Sequence, residues 1–169
     1  HKQEAYYGFR QYDINHESFY ANLLFNSIIG NTKNKFKAGI NFSYDQYIEA
    51  VDTFNFNRAD NSAGAFFEYS YDNLENFSLV SGVRFDTHNR LGNFITPRVH
   101  IRYLPKENII IRASVGNGRK AANIFAENQT LFGTNRIISI TQNGGDIYGL
   151  NPEKAWNYGV SIRKIFSLW

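Results

Sequence analysis

Lys35-Phe36-Lys37-Ala38-Gly39-Ile40-Asn41-Phe42-Ser43-Tyr44-Asp45 alternates with a period of two. In an extended chain successive side chains point to opposite faces, so Phe36, Ala38, Ile40, Phe42 and Tyr44 share one face. Lys35, Lys37, Asn41, Ser43 and Asp45 share the other. A helix would scatter both sets around its circumference. The stretch predicts a strand with one apolar and one charged face, and its fold depends on which neighbours such strands find.

Outward from this stretch the same pattern recurs. Ile95, Val99, Ile101 and Tyr103 oppose Thr96, Arg98, His100 and Arg102, with Pro97 near the strand start, where a missing N–H is tolerated. Phe19 to Ile29, Ala63 to Tyr71, Phe77 to Thr87, Ile109 to Gly116 and Ala155 to Arg163 alternate less cleanly, and Tyr6 to Tyr12 is the poorest. Helical periodicity is weak throughout, and only Ala121 to Asn128 suits a helical turn or two. The fold class is all-β and antiparallel, with seven or eight strands.

The connections separate the architectures that such strands allow. Gly30 to Asn34, Asp72 to Asn76 and Leu104 to Asn108 are tight and rich in turn formers. Between them fall Glu49 to Ser62, the short His88 to Asn93, and the very long Asn117 to Lys154. A soluble sandwich has no reason to alternate short and long links. An antiparallel transmembrane β-barrel does, because its turns are short on one rim and its loops long on the other.

Composition agrees with this and excludes much else. Aromatics make up 17% of the 169 residues, and a barrel wall would spread them over its lipid face and interfacial girdles. With no Cys there are no disulfides, thiolate metal sites or Cys nucleophiles. No run of about 18 apolar residues marks a membrane-spanning helix. The net charge of +3 is dispersed, without a Lys/Arg run that would point to nucleic acid.

Chemistry-bearing motifs are absent in the same way. Gly116-Asn117-Gly118-Arg119-Lys120 lacks the spacing and the Ser/Thr of a phosphate loop. His1, His16, His88 and His100 share no metal-ligand spacing, and no Ser, His and Asp arrangement or carboxylate pair stands out. No catalytic residue, metal or cofactor is expected. The polar parity carries Lys35, Lys37, Arg84, Arg98, Arg102, Arg112 and Arg163 against Asp45, Glu68 and Asp86. That basic excess needs a wet lumen or an acidic partner, since unpaired buried charge costs several kcal/mol. Arg98, His100, Arg102 and Arg112 are the expected lumen-facing groups.

Five segments carry a family resemblance. Gly149-Leu150-Asn151-Pro152-Glu153-Lys154-Ala155-Trp156-Asn157-Tyr158-Gly159-Val160-Ser161 resembles TonB-dependent receptors, in which a long outer loop ends in Pro-Glu and descends into a strand marked Trp-Asn-Tyr-Gly. Ser18-Phe19-Tyr20-Ala21-Asn22-Leu23 is similar to their strand openings. Ala65-Phe66-Phe67-Glu68-Tyr69-Ser70-Tyr71 is similar to a strand entering a periplasmic turn. Thr96-Pro97-Arg98-Val99-His100-Ile101-Arg102-Tyr103, followed by Arg112 to Asn123, resembles the next hairpin. There the family commonly has Gly, an aromatic and Arg before Ala-Asn, whereas here Lys120 follows Arg119 and the aromatic is missing.

The resemblance implies a 22-stranded outer-membrane barrel of a Gram-negative bacterium, closed by an N-terminal plug. Residues 1–169 are expected to be an interior to C-terminal part of that barrel, with neither a plug nor a TonB box recognisable in them. The implied function is TonB-energised uptake of a scarce nutrient, foremost a ferric siderophore or similar chelate. Partners would be the chain's own plug, the TonB complex acting through it, the substrate and outer-membrane lipid. Arg119, Asn123, Glu127, Asn128 and Arg136, in the longest connection, are the expected ligand-binding residues. Alternatively Arg119 to Asn128 packs on the lumen wall against the plug. Two rivals carry other functions: a complete eight-stranded barrel with a structural or adhesive role, for which Trp169 would be the terminal aromatic, and a soluble β-sandwich binding module.

Overall fold

The alternation predicts hydrogen-bonded ladders between neighbouring segments, and the computed structural model contains them. It describes residues 1–166 except 9, 52, 53, 129, 131, 132 and 134–138. The strands are β1 (Lys2–Tyr7), β2 (Arg10–Ile28), β3 (Asn34–Val51), the two-residue β4 (Phe54–Asn55), β5 (Arg58–Asp72), β6 (Phe77–His88), β7 (Gly92–Lys106), β8 (Ile109–Lys120) and β9 (Glu153–Lys164). One helical turn, α1 (Ile124–Glu127), lies between β8 and β9, inside the stretch expected to be helical. All pairings are antiparallel in the order β1-β2-β3-β5-β6-β7-β8-β9, with β4 beside β3. Strands β1 and β9 end this path without pairing to one another. Among the described residues the sheet is therefore open, neither an eight-stranded closed barrel nor a sandwich.

Several expected boundaries fell short: β2 begins at Arg10 and not Phe19, β8 runs past Gly116 to Lys120, and two further cases have clear physical reasons. Tyr6 to Tyr12 straddles a hairpin: Tyr7 pairs with Arg10, and Gly8 supplies the left-handed backbone, at φ +66°. The link expected from Glu49 to Ser62 is largely strand, with Tyr47 opposite Arg58 and Asp45 opposite Asp60. Alternation fails there because both faces leave the apolar belt, while the ladder needs only backbone groups and continues. The 18 residues of β3 extend about 60 Å, whereas crossing a bilayer takes about 9–11 residues. The surplus projects beyond the belt on the side of the long connections.

Register confirms the two faces. Phe25, Ala38, Phe67, Val83 and Pro97 stand in one cross-strand row, and Leu23, Ile40, Ala65, Phe85 and Ile95 in the next. None of the described residues covers this face: Ile40 is 58% exposed and Val160 is 77% exposed. An uncovered apolar surface of this extent is what the lipid-facing wall of a barrel presents. The opposite face carries the rows Asn26, Lys37, Glu68, Gly82, Arg98 and Asn22, Asn41, Gly64, Asp86.

Two glycines in those rows let long side chains reach across a strand. Arg98 passes over Gly82 to pair with Glu68; a Cβ on Gly82 would lie 3.4 Å from the Arg98 Nε. A Cβ on Gly64 would come within 2.2 Å of the Asp86 carboxylate. The tight turns are knitted by asparagine. The Asn73 Oδ1 accepts from the backbone N–H groups of Glu75, Asn76 and Phe77, and the Asn31 Oδ1 from that of Lys33.

Candidate functional site

Among the described residues, the buried apolar side chains other than Ala122 gather in one place, where the β8–β9 connection folds over the charged face at the end of the long strands. Tyr12, Val51, Phe125, Ile147 and Tyr148 pack together there, with Phe56, Leu91 and Leu150 around them. The Phe56 and Phe125 rings lie 5.1 Å apart, and each lies 5.3 Å from the Tyr148 ring. An open sheet has no interior of its own, so this docked connection makes the core.

Its polar centre is Glu49, 1% exposed. The carboxylate accepts hydrogen bonds from the Tyr12 hydroxyl at 2.9 Å and from the Tyr148 hydroxyl. Arg58 lies 3.6 Å from the same carboxylate. It donates to the Tyr148 oxygen at 2.9 Å, the Asn123 Oδ1 at 2.6 Å and Asp60 at 3.1 Å. The guanidinium sits 3.9 Å from the Tyr47 ring centroid. Arg90 completes the group with a 2.9 Å bond to Asp60. Each buried charge thus has both an opposite charge and hydrogen bonds, the condition under which burial is tolerated. Burial, reinforced by the hydrogen bond to Glu49, holds the Tyr148 phenol well above its usual pKa, so it stays protonated and donating.

Beside this rim an open cleft of about 530 Å³ runs down the charged face. Glu68, Arg84, Asp86, Phe94, Arg98 and Arg119 line it. Arg84 binds Asp86 through two bonds, at 2.7 and 2.6 Å, and Arg98 pairs with Glu68. The Arg119 guanidinium lies 5.1 Å from the Phe94 centroid and donates at 3.5 Å to the Leu91 carbonyl, leaving donors for a solute. The Asn117 Oδ1 is buried without a partner in the same wall.

The structure separates the residues expected to bind ligand. Arg119 lines the cleft, whereas Asn123 is spent on Arg58 within the rim. Glu127 forms an ion pair with Lys120 at 2.6 Å, and Asn128 ends α1 with a 2.8 Å bond to the Ile124 carbonyl; both are exposed. Arg136 lies outside the described residues, as does Trp169. Arg98, His100, Arg102 and Arg112 share the charged face, as the alternation predicts. Sequence reasoning missed Tyr12, Glu49, Arg58, Asp60 and Tyr148. One signal could have found Glu49: it shares the parity of Asp45, four residues earlier.

The sequence matches the family described as TonB dependent receptor-like, beta-barrel over residues 2–169. No curated protein matches it. Among solved structures, the siderophore receptor PirA from Pseudomonas aeruginosa is similar, with a TM-score of 0.66 at 14% identity over 94% of this chain and 31% of that one. A mutant of the ferric enterobactin receptor of the same organism gives 0.64 at 13% identity, over 92% of this chain and 25% of that one. PirA from Acinetobacter baumannii gives 0.60 at 14% identity, over 93% and 25%. At such identities the likeness is one of fold. The chain spans between a quarter and a third of the length of these receptors.

Proposed function

The chain belongs to the TonB-dependent receptor β-barrel family, and from that premise we propose that it forms part of the wall and one outer loop of an outer-membrane receptor taking up a ferric siderophore or similar chelate. The observation that carries the reading is the two-sided sheet. One face is apolar and uncovered, while the other is lined by ion pairs and has the β8–β9 connection folded onto it. A lipid-exposed wall needs the first property and a wet lumen needs the second. On this reading the charged face is the lumen wall, the tight turns face the periplasm, and β1 and β9 pair with further strands.

Within it, the cleft edged by Arg119 is the part of the wall that meets solute, and the Glu49–Arg58 group holds the loop above it. A plug in the lumen and the TonB complex acting on it would supply movement and energy. The solved structures that this chain resembles include a siderophore receptor and a ferric enterobactin receptor, which favours an iron chelate as cargo.

The test is uptake of radiolabelled ferric siderophores by a strain lacking its own receptors and expressing the full-length protein, with and without TonB. Saturable uptake that disappears without TonB is expected. Uptake indifferent to TonB, or its absence across ferric siderophores and related metal chelates from a correctly inserted protein, would overturn the reading.

A further inference from the structure

Three arginines on the charged face of the sheet have an acid of this chain in reach. Arg84 has Asp86, Arg98 has Glu68 across Gly82, and Arg58 has both Glu49 and Asp60. Nearer the tight turns the pattern stops. Arg102 of β7 stands directly opposite Arg112 of β8, and among the described residues neither has an ion pair. Like charges facing across a ladder destabilise it.

The pair is flanked by serines, with Val80 in the next row beside His100. Ser78 stands beside Arg102 on β6, and Ser161 beside Arg112 on β9. His100 and Ser114 form the next row up. Together these residues help line an open cleft of about 370 Å³ that none of the described residues fills. Asp72, in the same row on β5, is separated from Arg102 by Ser78, and its Oδ1 accepts from the Leu74 backbone N–H.

We propose that Arg102 and Arg112 form an anion subsite whose ligand is a carboxylate, held by the two guanidinium forks with the serine hydroxyls beside it. A planar carboxylate matches the paired donors of guanidinium, and its charge removes the repulsion that the ladder otherwise bears. The proposal rests on the reading of this face as a lumen wall. Two sources offer the same chemistry there: a free carboxylate solute, or an acidic side chain of a polypeptide segment occupying the lumen.

The experiment uses the full-length receptor in detergent, with citrate as the probe, and compares wild type with Arg112→Gln and Arg112→Lys. A free-solute site binds citrate in the wild type and loses at least about tenfold in affinity in Arg112→Gln. A site already occupied by a polypeptide acid ignores citrate, but Arg112→Gln lowers the melting temperature. In either case Arg112→Lys, which keeps the charge but not the fork, recovers only part of the loss. Citrate binding equal in wild type and Arg112→Gln overturns the proposal. So does a melting temperature unchanged or raised in Arg112→Gln without citrate binding, or a Lys variant as impaired as the Gln variant. A receptor that fails the uptake test yet shows the charge-dependent response keeps the subsite, and one that takes up chelate without that response loses only the subsite.

Discussion

Tyr148, in the connection between β8 and β9, donates its phenolic hydrogen bond to Glu49 of β3, 99 residues earlier in the chain. This bond and the Arg58–Asn123 bond tie the connection to the wall. Tyr148→Phe keeps the aromatic packing with Phe56 and Phe125 and removes one donor from a buried carboxylate. The expected cost is about 1–3 kcal/mol of local stability. Hydrogen exchange across residues 139–150 should then accelerate about 5- to 150-fold, with β5 to β7 unchanged. The phenol's raised pKa sets the pH window. The bond's contribution is complete below about pH 10, the ordinary tyrosine value, and is lost as pH climbs through the higher value of the folded state.

Steric demands on the charged face rank three glycine substitutions. Gly64→Val forces the Asp86 carboxylate aside and should cost about 1–3 kcal/mol, weakening its bond to Arg84. Gly82→Ala meets the Phe67 carbonyl at 3.3 Å and Arg98 at 3.4 Å, and should cost less. Gly118→Ala finds nothing within 4 Å and should be neutral or slightly stabilising. Urea denaturation of the full-length protein in detergent would give the order.

Substitutions on the two faces should differ sharply in their effect on membrane insertion. Ile40→Arg places a charge on the uncovered apolar face and should cost about 2–4 kcal/mol if it lies near the bilayer midplane. Lys37→Gln, on the charged face and 3.9 Å from Glu68, should cost less than about 0.5 kcal/mol. Folding yield into phosphatidylcholine vesicles, read by the shift of the unheated band on a gel, compares them directly.

The Arg98–Glu68 pair couples β7 to β5 across β6. Glu68→Gln and Arg98→Gln should each destabilise the sheet, Arg98→Gln more, because it leaves a buried carboxylate with only Lys37 nearby. A double-mutant cycle should give a coupling of at least about 0.5 kcal/mol. A coupling near zero would show that the two side chains act independently.

Much of the fold was legible because period two is a local property. Phe36 to Tyr44 and Ile95 to Tyr103 state in their own order which face is apolar, and the asparagines of the tight turns carry their own hydrogen-bonding geometry. Strand ends past the apolar belt were not legible. At Glu49, Arg58 and Asp60 side-chain alternation has no reason to persist while the backbone ladder runs on. Of the residues expected to touch ligand, Arg119 lies on a cleft and Asn123 is consumed by Arg58. No local pattern distinguishes those two fates.

By itself, then, the sequence determined the all-β class, the two-faced strands, the alternation of short and long connections, and the basic excess of one face. These follow from residue type and nearest neighbours along the chain. Only the tertiary structure decided which charges find partners. Arg98 reaches Glu68 because Gly82 leaves the space, and Tyr148 reaches Glu49 because the connection folds back over the wall. Arg102 faces Arg112 and Ser78 and, among the described residues, finds no acid, since pairing is set by register across strands far apart in sequence.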